Sequence, residues 1–235
     1  MTYDHSIDVR KDYLILYLIW TISFLFDFFW ISQHNLPPAW DQASHLSTAF
    51  DVSRLFHSPE YFSFNWWREL WSKFPSYRGP FTYLASVPFL NILGTSYKTA
   101  ILTNQAFNLL IILSTYFLGR IIHTRQSGLW AAFFTSVSPA LLNQRTDYLI
   151  DLCLVSVLTL SWLFISIWRL DIILNRWISS FLSGIFIGFV CLTRPTGIIF
   201  LWLPFLILFC DFIFNLYRNK ITPIIQLLIG ITSAI

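Results

Sequence analysis

An aspartate and a histidine, Asp41 and His45, stand four residues apart just after the first long apolar segment of the chain. Side chains at this spacing meet on one face of a helix. A carboxylate beside an imidazole can take a proton from a hydroxyl group or ligate a divalent metal. The alternative is that Asp41 is a solvated acid stabilised by a helix dipole, with His45 as an ordinary interfacial residue.

A second group of charges lies where later apolar segments meet. Arg145, Asp147 and Asp151 separate the third segment from the fourth, and Arg194 follows the fifth. Ionisable groups at membrane depth are costly and usually face a cavity or a partner. An arginine there can bind a phosphate with its planar fork of donors. The alternatives are an ion pair that holds helices together and, for Arg194, snorkelling to the interface.

The composition indicates that lipid surrounds these residues. Hydrophobic residues make up 56% of the 235 residues and charged residues 11%, whereas a soluble domain carries about 25% charge. Aromatic residues, at 19%, suit belts at the two interfaces. The net charge of +3 is small and scattered, which argues against a nucleic-acid partner. Three cysteines fall in apolar segments, where we expect them to pack as small hydrophobes.

The apolar segments predict an all-α membrane protein, a polytopic helical bundle of about seven spans. A helical span needs about 20 mostly apolar residues. The predicted spans are residues 13–31, 100–118, 129–142, 149–168, 178–192 and 198–217, with a seventh that starts at Pro223. The seventh reaches Ile235 after about 20 Å of helix, short of a roughly 30 Å hydrocarbon core. We therefore expect one membrane domain over residues 1–235, truncated at its C-terminus.

The lysines and arginines of the short loops set the predicted orientation, with the N-terminus in the cytoplasm. The short outer loops then carry only Arg145 and Arg194. Residues 32–98 become a long first extracytoplasmic loop. Asp41, Asp151, Arg145 and Arg194 come from four separate segments, and this topology brings all of them to the outer face.

Two helices are expected in the outer loop, both lying in the interface. Residues 40–56 repeat apolar residues at roughly helical spacing, namely Trp40, Ala43, Leu46, Phe50 and Leu55. Residues 77–94 begin with Tyr77, Arg78 and a Gly-Pro pair and end at Gly94, which marks a helix too short to span a bilayer.

The order of these motifs resembles the GT-C membrane glycosyltransferases, especially family 39, which includes protein O-mannosyltransferases and the aminoarabinose transferase of lipid A. Those enzymes have an acid that opens a helix in the first outer loop, as Asp41 does here. Further along, the resemblance is carried by residues 77–94, 116–120, Ser138-Pro139, Asp151, the Gly184 and Gly188 pair, and residues 193–195.

The resemblance implies transfer of a sugar from a polyprenyl-phosphate donor to an acceptor at the outer face of the plasma (inner) membrane. Asp41 would be the general base, and Asp151 would orient the substrate or the partners of Asp41. Arg194 and Arg145 would stabilise the leaving phosphate. His45, Asp147, Tyr77 and Arg78 would complete the substrate site. The acceptor is left open among protein, lipid and glycan, no metal ligand is assigned, and a divalent metal is left open as a cofactor.

Two other functions fit the same residues. A transporter or flippase-like protein could use the charges to gate a path, although they gather at one face and no inverted repeat is visible. An inactive remnant of a longer enzyme would also keep these motifs.

Overall fold

The computed structural model describes residues 5–33, 38–75 and 77–217, together with Ile229, Thr232 and Ser233. Every regular element in these ranges is a helix. The helices are α1 His5–Gln33, α2 Trp40–Leu55, α3 Phe64–Ser72, α4 Phe81–Leu93, α5 Tyr97–Ile122, α6 Arg125–Ser136, α7 Pro139–Thr146, α8 Asp151–Leu170, α9 Arg176–Thr193, a 3₁₀ helix Pro195–Leu201, and α10 Trp202–Tyr217.

Four of these helices are long and apolar enough to cross a membrane: α1 from Arg10, α5, α8 and α9. The chain is therefore an all-helical protein of the membrane type. The predicted third span is wrong as a single helix, because the chain breaks at Val137 and Ser138 between α6 and α7. Pro139, which cannot donate a backbone hydrogen bond, starts α7 instead. The predicted seventh span lies almost entirely outside the described residues.

The chain divides into two compact units. The first comprises the described residues of Met1–Lys73 and Tyr83–Leu152, and the second those of Phe74–Thr82 and Cys153–Ile235. The sequence pattern indicated one membrane domain and gave no sign of this division. All three cysteines are free: Cys153 packs in the interior as expected, Cys191 is half-buried and Cys210 is exposed.

The first unit is held by close packing of α5 and α6. Leu16, Ile112, Tyr116 and Ala132 form a buried cluster. The two helices approach closely at Gly128, where a Cβ atom would lie 2.4 Å from the carbonyl oxygen of Tyr116. The start of α6 is fixed by Thr124, whose hydroxyl accepts a hydrogen bond from the backbone N–H of Ser127.

Helix α1 is attached to this packing by polar contacts as well as apolar ones. Only 17% of the residues in its most apolar 18-residue stretch are buried, so most of the surface of α1 is available to contact lipid. Near its start, Asp12 accepts hydrogen bonds at 2.7 and 2.9 Å from Nε of Arg125 and at 2.6 Å from the hydroxyl of Tyr116. These contacts fasten the beginning of α1 to the end of α5 and the start of α6.

The second unit packs α8 and α9 against the 3₁₀ helix. Its core contains Leu154, Val157, Val190 and Leu201. Gly197 sits against this core, where a Cβ atom would lie 2.8 Å from a methyl group of Leu154. The 3₁₀ helix begins at Pro195, so the predicted sixth span starts as a tight turn before it becomes α10.

Candidate functional site

Asp41 and His45 lie on α2, which forms almost as the sequence predicts and ends one residue earlier, at Leu55. Nε2 of His45 is 3.9 Å from Oδ1 of Asp41. The Asp41 side chain is 46% exposed, whereas that of His45 is 3% exposed. The predicted meeting of the two side chains on one face is therefore confirmed. The carboxylate can reach solvent while the imidazole is fixed in the protein interior.

The buried face of α2 differs from the predicted apolar stripe. His45, Leu46, Ala49 and Val52 are buried, whereas Trp40 is 87% exposed. From its spacing in the sequence, Trp40 was predicted to lie on the apolar face of the helix. The small residues of the helix pack inward instead, and His45 joins them because it has a polar partner there.

That partner is Tyr83, which the sequence analysis missed. The hydroxyl of Tyr83 lies 2.7 Å from Nδ1 of His45, and the two rings stack with their centroids 5.8 Å apart. Tyr83 is fully buried in the first turn of α4. It is 38 residues from His45, and no local signal connects positions so far apart. The one local feature of Tyr83 in the sequence is its place in the first turn of a helix that follows a Gly-Pro pair.

The three side chains form a line from the interior to the surface. When the hydroxyl of Tyr83 donates to Nδ1, the ring hydrogen of His45 sits on Nε2, which faces Asp41. The separation of 3.9 Å between Nε2 and Oδ1 is longer than a hydrogen bond and lies within the range of an ion pair, so Oδ1 of Asp41 stands close to the ring. Such a carboxylate can accept a proton from a hydroxyl group brought to its exposed edge.

Arg145 forms a buried ion pair with a residue that the sequence pattern did not indicate. Its Nε is 2.7 Å from Oδ2 of Asp27, and its Nη2 is 3.1 Å from Oδ1. Its Nη1 donates to the carbonyl oxygen of Ser136 at 2.5 Å, and Gln105 donates to Oδ2 of Asp27 at 3.0 Å. Asp27 is 0% and Arg145 1% exposed.

This geometry corresponds to the ion-pair alternative for Arg145, with Asp27 as the partner in place of Asp147 or Asp151. The edge of the Arg145 guanidinium that carries Nε and Nη2 donates its hydrogen bonds to the Asp27 carboxylate. The same edge would be needed to bind a phosphate. Asp27 lies inside the protein, where its ion pair with Arg145 joins α1 to α7.

Asp147 and Asp151 flank a short connection in the first unit. Asp147 is half-buried and follows α7, and its carbonyl oxygen accepts a hydrogen bond of 2.8 Å from Nδ2 of Asn104. Asp151 is the half-buried first residue of α8, as predicted. Tyr148, between them, is fully buried, with its hydroxyl 2.6 Å from that of Ser86 on α4.

The second unit brings Arg78 and Arg194 together. The backbone N–H of Gly79 donates to the carbonyl oxygen of Thr193 at 3.2 Å, so the residues next to this bond, Arg78 and Arg194, are neighbours. A Cβ atom on Gly79 would lie 1.8 Å from the carbonyl oxygen of Leu192, so only glycine permits this approach. The guanidinium of Arg78 lies 5.0 Å from the ring centroid of Tyr77, and Arg194 is exposed.

An apolar groove of about 290 Å³ runs beside the ion pair in the first unit. Its walls come from α1, α6 and α7, and the lining residues are Ile19, Ile22, Ser23, Phe26, Phe133, Ser136, Val137, Leu142 and Arg145. Ile22 and Val137 are 67% and 49% exposed, so the groove opens on a face that lipid would cover. Its largely apolar lining suits a hydrocarbon chain.

Comparison with protein-family models, with curated proteins and with solved structures gave no match. The resemblance to the GT-C enzymes therefore stays a prediction from the motifs. Within residues 5–33, 38–75 and 77–217, no group of three or more His, Cys, Asp or Glu side chains is placed to hold a metal ion.

Proposed function

We propose that this chain is an integral-membrane glycosyltransferase of the GT-C type. It moves a sugar from a polyprenyl-phosphate donor to an acceptor hydroxyl. The observation that carries the proposal is the line of Asp41, His45 and Tyr83, in which an accessible carboxylate stands 3.9 Å from a buried imidazole that a second helix holds in place. This arrangement suits removal of a proton from an acceptor hydroxyl.

In the proposed reaction, the acceptor oxygen bonds to the anomeric carbon of the donor sugar. The bond from that carbon to the phosphate oxygen breaks, and the phosphate leaves with the bonding electron pair. Asp41 takes the acceptor proton. His45 and Tyr83 are positioning residues that keep the carboxylate aimed at the acceptor. Asp151 orients the substrate from the start of α8.

The leaving phosphate gains negative charge as the reaction proceeds, and cationic donors that meet this charge stabilise the transition state. The motifs assign this role to Arg194, which the hydrogen bond between Gly79 and Thr193 places next to Arg78 within the second unit. Arg145, which the motifs also indicated, is assigned a structural role because it is bound by Asp27.

The apolar groove lined by α1, α6 and α7 supports a lipid-linked donor, since a hydrocarbon chain would fit between Ile22 and Val137. The full proposal has about seven spans, a cytoplasmic N-terminus and a first outer loop over residues 32–98. The reaction then takes place at the extracytoplasmic face of the plasma (inner) membrane.

The test uses vesicles that contain the full chain and polyprenyl-phosphate donors carrying mannose, glucose or aminoarabinose. Release of free polyprenyl phosphate reports turnover whatever the acceptor is. Asp41→Asn should lower this rate by about 10²–10⁴-fold, the usual contribution of general acid–base catalysis. Tyr83→Phe should give a smaller loss, because the imidazole is then less firmly held.

Asp171→Asn is the matched control, since this aspartate is 60% exposed and also lies near a cation, Arg176, at 3.7 Å. It should turn over at the wild-type rate. Unchanged turnover in Asp41→Asn, at equal protein level in the membrane, would remove Asp41 as the base. No release of polyprenyl phosphate by the wild-type chain from any donor would count against the glycosyltransferase itself.

A transporter or flippase-like function has one observation in its favour. Neighbouring positions of α5 carry buried polar atoms that lack a hydrogen-bond partner within the described part of the chain, on Thr103, Asn104, Gln105 and Asn108. Polar groups at membrane depth often line a substrate path. In the same vesicles, movement of a polyprenyl-phosphate sugar across the bilayer without cleavage would favour this second function.

A further inference from the structure

Helix α3 carries an exposed aromatic surface along one of its sides. At 3.6 residues per turn, Phe64, Trp67 and Trp71 fall within about 60° of one another around the helix. These three side chains are 79%, 42% and 56% exposed. We call them the aromatic face of α3. A contiguous exposed apolar surface of this kind marks a site of interaction with a protein or a membrane.

The remaining sides of α3 have different surroundings. Trp66 and Leu70 are 5% and 3% exposed and pack inward. Asn65 and Glu69 lie on the half of the helix opposite the aromatic face, where they line a polar cavity between α2 and α3. The helix therefore has an inward side, a polar side and the aromatic face. An apolar side opposite a polar one is the pattern of a helix that lies in a membrane interface.

The aromatic face presents ring surface to its surroundings, with little demand for hydrogen bonds. The indole N–H of Trp67 donates to the carbonyl oxygen of Tyr61 at 2.8 Å, so the polar group of this exposed ring is already bonded within the protein. The side chain of Phe64 has no polar atom. These rings can leave water for an apolar medium without carrying an unpaired donor with them.

A basic residue stands at one edge of the aromatic face. Arg68 is exposed and lies about 40° around the helix from Phe64, between the aromatic face and the polar side. In interfacial helices, aromatic rings enter the boundary between headgroups and acyl chains, and long basic side chains extend to the lipid phosphates. The order of aromatic, basic and polar residues around α3 is the one that such a helix needs.

Contacts within the first unit hold α3 near the start of a membrane-spanning helix. The indole N–H of Trp66 donates to the carbonyl oxygen of Leu55, which joins α3 to the end of α2. Near that end, the hydroxyl of Ser53 donates to the side-chain oxygen of Asn91 on α4. Asn91 precedes the first residue of α5, Tyr97, by six residues, which span at most about 22 Å. Helix α3 is therefore tied to the end of α5 at which that helix enters the membrane.

Helix α1 meets the same membrane surface. Ile31 and Ser32, near the end of α1, line an apolar cleft together with Lys98 and Thr99 in the first turn of α5. Both α1 and α5 are long and apolar enough to cross a membrane. The segment between them, which carries α2, α3 and α4, therefore leaves the membrane and returns to it on one side. A lipid surface lies beside this segment at both of its ends.

We propose that the aromatic face of α3 enters the phospholipid interface at the membrane surface where α1 ends and α5 begins. The three rings lie at the boundary between the headgroups and the acyl chains, and the guanidinium of Arg68 binds lipid phosphates. The polar side of α3 stays in water. The first unit is then attached to the membrane by an interfacial helix as well as by its spans. This attachment does not depend on the proposed function.

The experiment measures the depth of spin labels on α3 in vesicles of phosphatidylcholine and phosphatidylglycerol. The full chain, with its three native cysteines replaced by serine, carries one new cysteine at a time for a nitroxide label. Access of oxygen, which concentrates among acyl chains, is compared with access of a water-soluble nickel chelate. Labels at Phe64→Cys and Trp71→Cys should lie about 5–10 Å below the phosphates, whereas a label at Arg68→Cys should lie at their level.

Ser72→Cys is the matched control, because Ser72 is exposed on the same helix and lies about 80° around it from Phe64, towards the polar side. Its label should remain in water and be reached readily by the nickel chelate. A second measurement keeps the native cysteines. Lipids brominated in the upper part of their acyl chains should quench a larger share of tryptophan emission in the wild-type chain than in the Trp67→Phe, Trp71→Phe double variant.

Three results would overturn the proposal. Chelate access at Phe64→Cys and Trp71→Cys equal to that at Ser72→Cys would place the aromatic face in water. Labels that neither reagent reaches would show that protein covers this face, and magnetic broadening between labels would identify a second copy of the chain. Equal quenching of the wild type and the double variant by brominated lipid would also contradict insertion. Sugar transfer enters none of these measurements, so their outcome is separate from that of the proposed function.

Discussion

Replacing Asp27 by asparagine should strongly destabilise the first unit. The carboxylate of Asp27 holds the guanidinium of Arg145 through two hydrogen bonds of 2.7 and 3.1 Å, and both side chains are almost completely buried. Asparagine has the same shape and no charge. The substitution therefore leaves a full positive charge in the interior without its counter-ion.

The expected loss in the free energy of unfolding is about 3–5 kcal/mol, the range found when one partner of a buried ion pair is removed. This corresponds to a fall of roughly two to three and a half orders of magnitude in the ratio of folded to unfolded chains. Arg145→Gln should cost a similar amount, because it leaves the carboxylate unpaired. With both changes together no charge remains, so the double variant should be more stable than either single variant.

The assay is unfolding of the purified chain in mixed micelles by increasing SDS, followed by tryptophan fluorescence. The double-mutant cycle should give a coupling energy of at least about 3 kcal/mol between Asp27 and Arg145, because the double variant is expected to lose less than either single variant. Asp171→Asn serves as control, because the ion pair of Asp171 with Arg176 is exposed and should contribute at most about 0.5 kcal/mol. Single variants within about 0.5 kcal/mol of wild type, or energies that simply add, would refute the reasoning.

Three further substitutions test the packing of both units in the same micelle assay. Gly128→Ala should destabilise the chain by about 1–3 kcal/mol, since its Cβ atom would lie 2.4 Å from a carbonyl oxygen of α5; a neutral result would mean that the helices separate freely. Tyr83→Phe should cost about 0.5–1.5 kcal/mol because it removes the hydrogen bond to Nδ1 of His45, and an unchanged unfolding curve would contradict that contact. Gly79→Ala should also destabilise the chain, because its Cβ atom would lie 1.8 Å from the carbonyl oxygen of Leu192; an unchanged unfolding curve would argue against this close approach.

The helices themselves could largely be predicted from the sequence. The apolar runs predicted both ends of α5, α8 and α9 to within four residues, whereas α1 begins eight residues before the predicted start of its span. Spacing alone also brought Asp41 and His45 together, because both lie on one helix. A Ser-Pro pair marks the break before Pro139 in the sequence. The residues on both sides are apolar, so they were predicted as one continuous span.

Contacts between distant helices could not be predicted in this way. Asp27 and Arg145 are 118 residues apart, and His45 and Tyr83 are 38 apart. A single sequence contains no periodicity that joins such positions. Arg145 had several acids as candidate partners, and its actual partner was decided by how α1 packs against α7.

Asp27 leaves the ribosome long before its partner does. The intervening 118 residues take about 6–24 s to synthesise at 5–20 residues per second. During that interval α1 is already long enough to enter the bilayer, and its carboxylate has no guanidinium to meet. The ion pair of Asp12 forms after almost as long an interval, because Arg125 lies 113 residues further along the chain. Helix α1 is therefore fixed in its final rotation only after α6 and α7 have emerged.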